Sequence, residues 1–88
     1  MYKIIKITDK EGNERTDGRY PLRKGCVVEI CNLNIRHSMI LAYAKDNEGN
    51  TKSGYLQTSL VDNYKEHNNR FIVYTMNSVY YLQNVDQR

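Results

Sequence analysis

Three features of this 88-residue chain predict an all-β fold, a small barrel of about six strands. The first is Tyr20-Pro21-Leu22-Arg23-Lys24-Gly25-Cys26-Val27-Val28-Glu29-Ile30. It holds the only proline, a glycine where the chain reverses, and then a strand whose two faces differ. The second is a succession of short apolar runs separated by clusters of Asp, Asn, Gly and Lys, the punctuation of an all-β domain. The third is negative. No stretch of useful length repeats its apolar residues at the 3.6 period of a helix.

Taken in order, Tyr2 to Ile7 reads as a first strand with imperfect alternation, Ile4 on one face and Ile5 and Ile7 on the other. Thr8 to Arg19 is a long solvated loop with turn chemistry at two places, around Gly12-Asn13 and Asp17-Gly18. Tyr20 and Leu22 resume an alternating pattern before Gly25. Beyond the glycine, Cys26, Val28 and Ile30 share one face while Val27, Glu29 and Cys31 take the other. Asn32 to His37 is a second loop.

Ser38 to Ala44 is the most apolar strand, with Met39, Leu41 and Tyr43 on one face and Ile40, Ala42 and Ala44 on the opposite one. Both faces therefore call for cover. Asn47 to Asn50 is the tip of a polar hairpin. Tyr55-Leu56 is a short strand, Ser59 to Tyr64 a brief helical turn, and Lys65 to Arg70 a hydrophilic loop. Phe71 to Met76 and Val79 to Leu82 form a closing hairpin around Asn77-Ser78. Residues 1–85 make one domain, and 86–88 a flexible tail. No internal repeat is expected.

Two of these stretches resemble the spine of a Src-homology-three domain. Tyr20 and Leu22 precede Arg23-Lys24-Gly25, Val28 and Ile30 follow at inward positions, and Gly54-Tyr55-Leu56 leads to Leu60-Val61 in that family's order. The resemblance covers residues 1–61 and implies the fold. It does not carry the ligand. That family docks proline-rich peptides on a tryptophan, a proline and tyrosines; here Met39, Gln57 and Leu60 stand in three of those places, and the chain has no tryptophan. The hairpin 71–82 is an addition to the family pattern. It either covers the second face of the 38–44 strand or leaves Met39, Leu41 and Tyr43 as an exposed patch.

Hydrophobic residues make up 40% of the chain, eight tyrosines among them. Tyrosine joins an apolar ring to a polar tip and is favoured at interaction surfaces. The leading expectation is accordingly a non-catalytic module that binds a protein, or a second copy of itself through the edge of the terminal hairpin. The interface candidates are Met39, Leu41, Tyr43, Tyr74, Tyr80 and Tyr81. In size and lone-domain character the chain is similar to inhibitory or accessory proteins of bacterial phages and mobile elements. Thirteen Lys and Arg against ten Asp and Glu leave a net charge of +3, which permits a second reading. Single-stranded or non-specific nucleic acid would bind a basic, tyrosine-bearing face made by Arg15, Arg19, Tyr20, Arg23 and Lys24.

The remaining chemistries lack their residues. Cys26 and Cys31 project to opposite faces of a strand and cannot bridge. His37 and His67 lie in separate loops, so neither pairs with them at zinc spacing. No nucleophile has an activating neighbour in sequence, and Gly12 and Gly18 fit no phosphate-binding spacing. The expectations are no enzyme, no metal, no cofactor and no small-molecule substrate. No run is long and apolar enough to cross a bilayer, so no membrane partner is expected, and the unpaired cysteines point to the cytoplasm.

Overall fold

A computed structural model describes residues 1–86. Its elements are β1 (Tyr2–Thr8), α1 (Tyr20–Arg23), β2 (Val27–Asn32), β3 (Ser38–Lys45), β4 (Tyr55–His67), β5 (Arg70–Thr75) and β6 (Val79–Asn84). The six strands are antiparallel and close into a barrel in the order β1-β2-β3-β4-β5-β6, with β6 returning to pair with β1. The all-β barrel expected from the sequence is the fold observed. No helix among the described residues is long and apolar enough to cross a membrane.

Closure decides what is core. Ile4, Ile7, Cys26, Val28, Met39, Leu41, Leu56, Val61, Val73, Tyr80 and Leu82 form one buried cluster inside the barrel. The terminal hairpin completes the wall, so the face of the 38–44 strand that carries Met39 and Leu41 is covered. Ile40, Ala42 and Ala44 on the opposite face are only half-buried, against the expectation of cover on both. Met39 and Leu41 are 0% exposed and Tyr80 is 2% exposed. These three are core residues and correct the expectation that they form an interface. The same closure removes the hairpin-edge dimer: β5 is bonded to β4 and β6, and β6 to β5 and β1, leaving that hairpin no free edge.

Four local expectations are also corrected. In β1 a register shift between Ile4 and Lys6 turns both Ile4 and Ile7 inward at a spacing of three, where alternation would separate them. Tyr20 to Arg23 is a single helical turn, with Pro21 at its first positions where a missing N–H costs nothing. Leu22 is consequently solvent-exposed.

Residues 59–67, expected as helix and loop, belong to the continuous strand β4. Its first part pairs with β3 and its last with β5, and those two ladders override local preference. It turns into β5 through Asn68-Asn69, whose φ values of 50° and 65° are the two left-handed positions of a tight hairpin turn. The last hairpin turn is centred one residue earlier than expected, on Met76-Asn77. The Thr75 N–H donates to the Ser78 carbonyl at 2.8 Å and the Ser78 N–H to Thr75 Oγ1 at 3.0 Å.

The reversal at Gly25 is as the sequence suggests. Its φ is +91°, and a Cβ there would lie 3.1 Å from the Cβ of Asn47, so the position demands glycine for two reasons. Of the expected tail, Asp86 is described, its N–H held by Asn84 Oδ1 at 2.8 Å; residues 87 and 88 lie outside the described residues.

Candidate anion-binding cleft

The turn of α1 and the 52–57 segment that opens β4 flank a cleft of about 340 Å³. Arg19, Leu22 and Arg23 line it from one side, and Lys52, Tyr55 and Gln57 from the other, with Tyr43 between them. Gly54, at φ +105°, bends the chain so that its carbonyl accepts the Tyr43 N–H at 2.9 Å, which fixes the second wall to β3.

Arg23 is the organised member of the set. Its Nη1 donates to Tyr80 Oη at 2.9 Å, and its guanidinium lies over the Tyr20 ring at 5.1 Å from the centroid. Lys52 Nζ lies 4.4 Å from the centroid of the Tyr43 ring. Burial pushes the Tyr43 hydroxyl above its ordinary pKa, and the charges of Arg23 and Arg19 pull in the opposite direction, so both guanidinium groups act at this ring. Among the described residues none of Arg19, Arg23 and Lys52 forms a salt bridge. Asp46, whose field reaches Lys52, spends its Oδ1 on the N–H groups of Glu48 and Asn50 at 2.9 Å each. Tyr55 is 74% exposed, the most open large apolar side chain of the described surface.

The cleft takes only two of the five basic-face residues chosen from sequence. Arg19 and Arg23 are in it. Arg15 is committed elsewhere: it pairs with Asp17 at 2.7 Å, donates to the Asn77 carbonyl at 2.8 Å, and lies over the Tyr20 ring at 4.3 Å. It fastens the long loop to the β5–β6 turn. Tyr20 Oη accepts from Ser78 Oγ at 3.1 Å, and Lys24 pairs with Glu14 at 3.0 Å. Of the interface candidates, only Tyr43 reaches the cleft. Tyr74 and Tyr81 lie half-buried outside it, near Lys65 at 5.9 Å and Lys6 at 5.4 Å respectively.

Lys52 and Tyr55 are the site residues that sequence reasoning missed. The signal was present in Lys52-Ser53-Gly54-Tyr55, where a cation and an exposed ring flank a glycine bend. Elsewhere, Cys26 is buried with Sγ 3.3 Å from the Leu22 carbonyl, and burial raises its pKa, so its thiol stays protonated at neutral pH. Cys31 is free and exposed. No group of three or more His, Cys, Asp or Glu among the described residues is arranged to hold a metal ion. What the cleft can do is bind: three cations, two rings and an apolar Leu22 suit an anion that carries flat or apolar groups. Comparison with family models, characterised proteins and solved structures returns no match.

Proposed function

We propose that the protein is a non-catalytic binding module that holds single-stranded nucleic acid in this cleft. The observation that carries the reading is the convergence of Arg19, Arg23 and Lys52, without carboxylate partners, on a hollow containing Tyr43 and the open ring of Tyr55. Phosphates need the cations. Bases need a ring face, and every base has one, so such a site tolerates many sequences. Arg23 is held in place before any ligand arrives, which lowers the ordering cost of binding.

The test is a fluorescence anisotropy titration with a labelled oligothymidine of about twelve nucleotides, long enough for a small barrel. With three cations on the backbone, the log–log salt dependence has a slope of about −2. Tyr55→Ala weakens binding by about 1–3 kcal/mol, the usual loss for a stacked base, with an unchanged circular dichroism spectrum because the ring is exposed. No binding at about 50 mM salt, where electrostatic association is strong, overturns the proposal. So does wild-type affinity in both Tyr55→Ala and the Arg19→Ala/Lys52→Ala pair.

A second reading, an acidic protein segment at the same cleft, is favoured by Leu22, which at 62% exposed adds apolar area that a nucleic acid does not need. Leu22→Ser separates the two. It weakens a protein contact and leaves oligothymidine affinity intact.

A further inference from the structure

The far end of β4 presents a second surface with the opposite charge. A hollow of about 520 Å³ lies between Glu29-Ile30-Leu33 on one side and Tyr64 and Glu66 on the other, with Tyr2 and Phe71 among its lining. Its rings are in contact: Tyr2 and Phe71 meet edge-on with centroids 5.5 Å apart, and Tyr64 and Phe71 are 6.2 Å apart. Glu29 and Glu66 are both exposed and, among the described residues, have no ion-pair partner.

Beside this hollow runs an unpaired strand edge. The β3–β4 ladder ends at Ser38↔Leu60, whereas β4 continues to His67, bonded only to β5. Asn63, Lys65 and His67 alternate toward β5, since the pair flanking a two-residue turn is hydrogen-bonded. Tyr64 and Glu66 therefore turn their backbone groups to the open edge. The Tyr64 N–H bears this out: its partner is the side-chain Oδ1 of Asn63, at 2.9 Å, a local stand-in for a missing strand.

A second copy of the chain does not fit this edge. Antiparallel self-pairing must centre on a residue for the free groups to meet. Centring on Tyr64 sets Glu66 against Asp62, centring on Lys65 sets lysine against lysine, and centring on Glu66 sets two glutamates face to face. Each of these three registers, which span the open residues 64–66, opposes like charges.

We propose that this edge takes an extended, basic segment of a partner protein as an added strand alongside residues 63–67 of β4. Main-chain bonds run to Tyr64 and Glu66. An apolar side chain lies over Tyr64 and Phe71, and an Arg or Lys two positions away, on the same face of the strand, meets Glu66 and Glu29. The site is independent of the cationic cleft, which sits at the other end of β4.

The test is an amide-resolved NMR titration of the intact protein with a blocked Thr-Arg-Thr-Val-Thr-Arg peptide. The largest shifts are expected at Tyr64 and Glu66. The peptide with Glu for Arg binds roughly fivefold or more weakly, as does the same peptide against the Glu29→Gln/Glu66→Gln variant. Methylating the amides that face β4 abolishes binding. Oligothymidine leaves these signals unmoved, so this result and that for the cleft stand or fall separately. Absence of shifts, shifts centred on Arg19 and Tyr55, or equal binding of the methylated peptide overturns the proposal.

Discussion

Tyr80 does two jobs at once: its ring lies in the core beside Val73 and Leu82, and its hydroxyl accepts from Arg23 at the cleft. Tyr80→Phe keeps the ring and removes the acceptor, so it should cost about 1.5–3 kcal/mol in urea denaturation, the value of a hydrogen bond to a charged group. Met39→Ala, by contrast, empties a fully buried site and should cost about 2–5 kcal/mol. A loss below about 0.5 kcal/mol, the level of a neutral surface change, would return Met39 to the surface. At this scale the sequence was readable in alternation and unreadable in direction. That Tyr80 and Tyr81 point apart follows from strand geometry, and they do. Which of them faces inward depends on closure of the barrel across β1 and β6, a contact between the two ends of the chain. Likewise alternation puts Cys26 and Val28 on one face and Glu29 and Cys31 on the other, and burial divides them that way.

Among the elements, the turns are the most strongly encoded in local sequence. Asp9-Lys10-Glu11-Gly12-Asn13 and Asp46-Asn47-Glu48-Gly49-Asn50 are the same motif used twice. In both, the Asp Oδ1 accepts N–H groups two and four residues on at 2.9 Å, and the glycine takes a positive φ. The repeat is legible as D-x-E-G-N, five residues long and therefore a turn motif and not a repeat of structural units. Asn68-Asn69 was legible too, because paired asparagines tolerate the left-handed region that two-residue hairpins require. Asn69→Val places a branched side chain at φ 65° and should destabilise by about 1–2 kcal/mol, read as a lowered urea midpoint; an unchanged midpoint would mean that the turn carries no strain. The single turn of α1 was not legible, since four residues are too few for a periodic signal and the Tyr20, Leu22 spacing fits a strand equally well.

For the molecule as a whole, the titratable groups define a pH window of stability. Burial raises the pKa of Cys26 above its ordinary 9.0 and those of Tyr43 and Tyr80 above 10.0. The unfolded chain then releases protons at a lower pH than the native one, so this contribution is intact below about pH 9 and is lost as pH climbs through the raised native values. On the acid side, backbone N–H donors lower Asp9, chiefly that of Asn13, and Asp46, chiefly that of Asn50, below 3.8. Their contribution is present above that value and fades as pH falls through the lowered ones. Urea midpoints measured across pH should therefore fall at both extremes. The alkaline fall should be shallower in Tyr80→Phe and Cys26→Ala, and an identical fall in both variants would assign it to other groups. The barrel itself was legible from the number and spacing of strands. The cleft was not, because it joins α1 to the 52–57 segment across a gap of some thirty residues that no local pattern reports.

The strictly sequential order of the barrel has a kinetic consequence. Five of its six seams join neighbours along the chain, and the four from β2 to β6 close over short connections, whereas residues 9–26, α1 among them, separate β1 from β2. The sixth, β1 against β6, must bring together segments separated by nearly the whole chain, and its loop-closure entropy is recovered only when the four seams from β2 to β6 are in place. β1 is held to β2 by only two register pairs, so it gains little from that side before the ring shuts. Refolding should thus pass through an open, curled sheet that lacks β1, and the rate at which that sheet captures the N-terminal strand sets the time in which the protein folds.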